Sequence, residues 1–185
     1  SDSSTYAEFQ KIQASINRIF GITEIIPTTV MATNAIELSK ITGIHQTRAA
    51  YYNGTIFVNQ NLINNRSAIA TSLRHEYVHA VVDYLSNSNA PIWLDEGLAL
   101  YLSGEFKNYR KPNKIPQSFF NQRSLRHLST NETREFYEYS AYFVESLIRS
   151  HGMKTIRSFL FNLRSKSAET AFRKAFGKEM QNSLI

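Results

Sequence analysis

SAIATSLRHEYVHAVVDYL, residues 67–85, reads as one helix. Leu73, Tyr77, Val78, Val81, Val82 and Leu85 recur at helical spacing, which supplies buried faces, and Ser67 stands where a cap is wanted. On such a helix four residues amount to about 400° of turn and ~6 Å of rise, so His75 and His79 project from nearly one face, one above the other. Two imidazoles at that separation can meet one tetrahedral metal. The plain alternative is a pair of half-buried histidines in a core face, which would also have to accommodate Glu76 beside them.

Outward from this helix, the next segment, APIWLDEGLALYL (90–102), predicts a second helix with Pro91 in its first turn, joined to the first by SNSN. Upstream, YAEFQKIQASINRIF places Tyr6, Phe9, Ile12, Ile16, Ile19 and Phe20 at helical spacing, with Gly21 as a stop. EIIPTTVMA (24–32) is β-branched and predicts extended chain, and ATNAIELSKITG predicts a short helix. AAYYNGTIFVNQ (49–60) is two apolar runs joined by Asn53-Gly54, the strongest short-range hairpin signal. Beyond Gly104 a polar, proline-containing stretch extends to about Asn131, with FNQRSLRHL as a possible short helix. Helices follow over roughly 132–150, 153–164 and 168–176, broken at Gly152 and Gly177. No repeat or linker divides the chain, so a single domain over residues 1–185 is expected. The predicted class is α+β: a small antiparallel or mixed sheet with an edge hairpin, then a mostly helical body.

Composition is consistent with that reading. With 185 residues, 42% hydrophobic and 19% charged, the chain has the size of one ordinary domain with a full core. No apolar run reaches the ~18 residues of a membrane span. The absence of cysteine removes disulfides, thiolate zinc sites and cysteine catalysis together. The opening SDSSTYAEF lacks a methionine, which leaves room for a removed leader and tilts the expected location towards secretion or the cell envelope. The net charge is +6. Lys107, Arg110, Lys111, Lys114, Arg123 and Arg126 cluster between residues 105 and 127, either as a solvated loop or as a surface for an acidic partner. No helix-turn-helix, RNP or zinc-finger pattern is present, so no nucleic-acid partner is expected. A monomer is expected.

A zinc site needs a third protein ligand. Asp83 continues the stripe of His75 and His79, but ~12 Å of helix rise from His75 is too far for bonds near ~2 Å. It fits better as an acceptor that orients an imidazole N–H. The metzincin pattern would put Gly and His where this chain has Val82 and Leu85, which excludes that class. A carboxylate on the following helix remains: Glu96 first, Asp95 behind it.

HEYVH followed by WLDEGLALYL resembles the gluzincin metallopeptidases, and more closely their peptidase MA-like domains. Trp-Leu-x-Glu-Gly-x-Ala is similar to the zinc aminopeptidases, and HAVVDY to the equivalent helix of thermolysin-type enzymes. Downstream, YEYSAYFVESLIRSHG and SAETAFRKAFG resemble the family's helix with Tyr-x-x-Ser and its later Ala-Phe-Gly segment, so the likeness spans about residues 50–180. The aminopeptidase Gly-x-Met-x-Asn signature is absent, and the interval from His79 to Glu96 is slightly shorter than in those enzymes.

The resemblance implies a zincin-like active-site helix and one zinc ion held by His75, His79 and Glu96. It also implies Glu76 as the general base of a peptidase, most simply an endopeptidase, acting on a protein or peptide. Zinc with three protein ligands keeps a fourth position for water, and Glu76, about 100° round the helix from His75, can reach that water. An edge strand beside the metal helix would bind substrate, with TIFVNQ (55–60) as the candidate edge and a plain core strand as the alternative for the same residues. Gluzincins often add a downstream Tyr or His against the oxyanion. Tyr137 matches the Tyr-x-x-Ser position with Ser140, ahead of Tyr139, Tyr142, His127 and His151. The alternative is a catalytically inactive zinc domain that binds a protein partner.

Overall fold

The computed structural model describes residues 3–43 and 47–183. It is α+β, 65% helical with a three-stranded mixed sheet. Contacts divide the chain into two compact units, Ser1–Val81 and Val82–Ile185.

The first unit opens with α1 (Ser3–Phe20). Phe9, Ile12, Ile16 and Phe20 enter the core, whereas Tyr6 and Ile19, expected on the same face, are exposed. Strand β1 (Thr29–Thr33) starts later than the β-branched run suggests, because Pro27 has no N–H to give a ladder. Helix α2 (Ala35–Thr42) is capped by Asn34, whose side chain accepts the Ile36 and Glu37 N–H groups. The expected hairpin forms from β2 (Ala49–Tyr52) and β3 (Thr55–Asn59). Its two turn residues, Asn53 (φ 46°) and Gly54 (φ 80°), both take the left-handed backbone that matches strand twist.

The sheet order is β1-β3-β2, with β1 parallel to β3 and β2 antiparallel to it. This corrects the edge expectation for TIFVNQ in favour of its core-strand alternative: β3 is the central strand, and the hairpin's edge is β2. The hairpin signal specifies which strands pair with each other but not which of them the incoming β1 joins. Alternation along β3 buries Ile56 and Val58.

Helix α3 spans Arg66–Ser86. Its cap is Asn65, whose side-chain oxygen accepts the Ala68 N–H at 3.0 Å; the expected cap, Ser67, lies inside the helix. Tyr77 fastens α3 to α1: its hydroxyl donates to Asn17 Oδ1 at 2.9 Å and its ring meets Phe9 edge-on at 5.7 Å.

The second unit contains α4 (Ile92–Ser103), α5 (Thr130–Asn162) and α6 (Ala168–Phe176). Pro91 sits one residue before α4, where its carbonyl accepts the first helical N–H groups. Trp93 centres the core, with Phe119, Phe120, Phe143, Phe159 and Phe172 at 5.1–6.5 Å. Gly97 lets α4 approach α5 closely: a Cβ there would stand 2.5 Å from the Ser140 carbonyl oxygen and from Val144 Cγ2. A capping box of Ser129 and Glu132 starts α5, and Gly152 (φ 77°, ψ 162°) breaks it where expected. Between α4 and α5 the chain makes single helical turns at Glu105–Asn108 and Gln117–Asn121, so the turn falls before most of FNQRSLRHL. Among the described residues, no helix is long and apolar enough to cross a membrane.

Candidate metal centre

Because α3 is continuous through residues 75–79, the spacing of its histidines becomes direct proximity. The His75 and His79 rings lie 4.9 Å apart, 68° from parallel. Both side chains are half-buried, and His75 Nδ1 is enclosed. Burial pushes the His75 imidazole well below the usual histidine range, and charge on His79 adds to the effect. A neutral imidazole is the form that binds metal.

Glu96 is the carboxylate that joins them. One nitrogen of each histidine and one Glu96 oxygen lie within 4.8 Å of one another, the one such group among the described residues. Asp95, the reserve candidate, is outside it. Two imidazole nitrogens and one carboxylate oxygen are the donor set of an open zinc site, in which bonds of ~2.0–2.2 Å converge and a fourth position is free. The residues fit a zinc ion.

Glu76, between the histidines in sequence, is 8% exposed and is not part of the ligand group. Its Oε2 accepts the backbone N–H of Tyr51, on edge strand β2, at 2.7 Å. A strand main-chain donor thus orients the carboxylate. At Asp83 a hydrogen bond arrives from Ser88 Oγ at 2.5 Å, in the turn that follows α3.

The tyrosines on α5 separate by partner. Tyr142 donates to the carbonyl of Tyr109 at 3.2 Å and its ring lies 4.7 Å from Phe106. Tyr139 packs edge-on against Phe119 at 6.1 Å. Tyr137 is half-buried on the same helix. His127 is exposed, and His151 packs against Phe176 at 5.1 Å.

The sequence reading passed over Tyr109. Burial, then the carboxylates of Glu105 and Glu96, push its phenol up to about 12. It follows a single turn in an irregular segment, where no periodicity or motif singles out one aromatic residue.

No protein-family model matches the chain, and no curated protein or solved structure does either.

Proposed function

We propose that the protein is a zinc-dependent peptidase of gluzincin type, with α3 as a zincin-like active-site helix. The observation that carries this reading is the convergence of His75, His79 and Glu96, with the Glu76 carboxylate between the two histidines in sequence yet outside the ligand group.

In this reading His75, His79 and Glu96 hold the ion, and zinc when bound supplies Lewis-acid polarisation of a carbonyl and a water of lowered pKa. Glu76 accepts the proton of the attacking water and returns it to the leaving amine. The Tyr51 N–H, accepted at Oε2, orients that carboxylate. Tyr137 donates to the oxyanion of the tetrahedral intermediate. β2, the hairpin's edge and the strand that touches Glu76, takes the substrate-aligning role first expected of 55–60.

The Tyr51 contact also suits a second reading, a zinc-binding domain without hydrolysis in which Glu76 serves only to strap β2 to α3. Cleavage of an unstructured protein such as casein by the zinc-loaded wild type, set beside Glu76→Gln, decides between them. Hydrolysis lost in the variant supports the peptidase, and equal rates in the two proteins would exclude it.

A further inference from the structure

Residues 105–127 carry six cations against one acid, Glu105, which is nearly all of the chain's net +6. In the structure this segment is fastened to the two helices that bear Glu96 and Tyr137. At its start, Phe106 lies 5.6 Å from Tyr101 on α4 and 4.7 Å from Tyr142 on α5. Tyr142 donates to the Tyr109 carbonyl, and the Arg110 N–H donates to Glu138 Oε1 at 3.3 Å. Further on, Ile115, Phe119 and Phe120 are buried, the two rings against Trp93. The apolar residues point into the core, while Lys107, Arg110, Lys111, Lys114, Arg123 and Arg126 are all exposed.

We infer that this strap is a substrate-docking surface and that the substrates are acidic peptides or acidic stretches of proteins. The inference rests on the peptidase reading and names its substrate class. Cations concentrated there raise the local concentration of anionic chains and their association rate. A nucleic-acid strand fits less well, because single strands need exposed aromatic platforms for their bases, and the aromatic residues of this strap are buried or half-buried.

The test uses two fluorogenic peptides with one central sequence, flanked in one by glutamates and in the other by lysines. The acidic peptide is expected to have kcat/KM higher by about tenfold or more, an advantage that collapses in about 1 M salt, where the screening length is ~3 Å. Lys107→Gln/Lys111→Gln/Lys114→Gln should abolish the preference. The charge-matched control Lys11→Gln/Lys154→Gln/Lys166→Gln, which alters exposed lysines elsewhere, should keep it. Anisotropy of the labelled acidic peptide with Glu76→Gln reads docking without turnover. Cleavage of both peptides at equal kcat/KM would overturn the acidic-substrate inference and leave the peptidase standing. Docking of the acidic peptide without cleavage of any peptide would overturn the peptidase and keep the surface. Tighter binding of a single-stranded oligonucleotide of equal charge would reassign the surface to nucleic acid.

Discussion

The backbone N–H of Tyr51 donates to Glu76 Oε2 at 2.7 Å, which joins the edge strand of the sheet to the helix of the histidines. A side chain that is nearly buried and holds a strand in this way has a structural duty besides any chemical one, and the two can be separated by substitution.

Glu76→Gln keeps an oxygen to accept the Tyr51 N–H, whereas Glu76→Ala removes that acceptor. The alanine variant should lose about 1–3 kcal/mol of stability and the glutamine variant much less, as read by urea unfolding. Hydrolysis should fall by about 10²–10⁴-fold in Glu76→Gln, with bound zinc unchanged, because only the proton acceptor is gone. Wild-type turnover in that variant would remove Glu76 from the chemistry.

Metal analysis tests the ligands directly. One zinc per chain is expected in the wild type. His75→Ala, His79→Ala and Glu96→Gln should each retain little after dialysis, while Asp95→Asn and Asp83→Asn should retain it. Retention should also fail as pH drops below ~6.5, where protons compete for the imidazoles. The metal-free protein loses stability in the same direction: His75 is depressed in the fold, so its contribution is present above ~6.5 and lost as pH falls. Full occupancy in Glu96→Ala would move the third ligand elsewhere.

Gly97 follows the proposed ligand and faces the Ser140 carbonyl. The added methyl of Gly97→Ala meets main chain at 2.5 Å, which cannot rotate away as a side chain could. Overpacking of this kind costs about 1–3 kcal/mol, and the forced separation of α4 from α5 should weaken zinc retention as well. An unchanged urea midpoint would show that the helices part without cost.

These contacts mark how far the sequence could be read. Helical spacing placed His75 over His79, Asn53-Gly54 marked the hairpin, and Gly152 marked the break in α5, because each depends on residues close in the chain. That a carboxylate of the next helix stands near the two histidines followed from the short turn between the helices, and the grouping holds Glu96 and not Asp95. What escaped depends on distant pairing. The central place of β3 is set by β1, more than twenty residues earlier. The partner of Glu76 is a main-chain N–H with no residue signature, and Tyr109 comes to Glu96 through contacts of Phe106 and Tyr142. Asn65 in place of Ser67 as the α3 cap was a local choice between two good capping residues, resolved by where the first helical turn begins.

Tyr109 makes a pH prediction of definite sign. Its phenol is raised in the fold from 10 to about 12, so its contribution to stability is complete below pH ~10 and is lost as pH rises towards 12. Ultraviolet titration of the metal-free protein should show that Tyr109→Phe lacks one of the latest phenols to ionise. Loss of a phenol that titrates near 10 instead would mean that Tyr109 is solvated.

The phenols of α5 and of the strap differ in what they touch. Tyr142 donates to the Tyr109 carbonyl and Tyr139 packs on Phe119, while Tyr137 holds the Tyr-x-x-Ser position on the same helix and Tyr109 is its rival near Glu96. A hydroxyl used mainly in the transition state lowers kcat on deletion, by an amount equivalent to ~2–4 kcal/mol, and leaves KM and zinc content nearly unchanged. Tyr137→Phe is expected to behave so, while Tyr142→Phe should reduce stability through its lost hydrogen bond and leave kcat close to wild type. If Tyr109→Phe shows the kcat loss and Tyr137→Phe does not, the donor comes from the strap between α4 and α5, and the Tyr-x-x-Ser resemblance has no catalytic meaning in this chain.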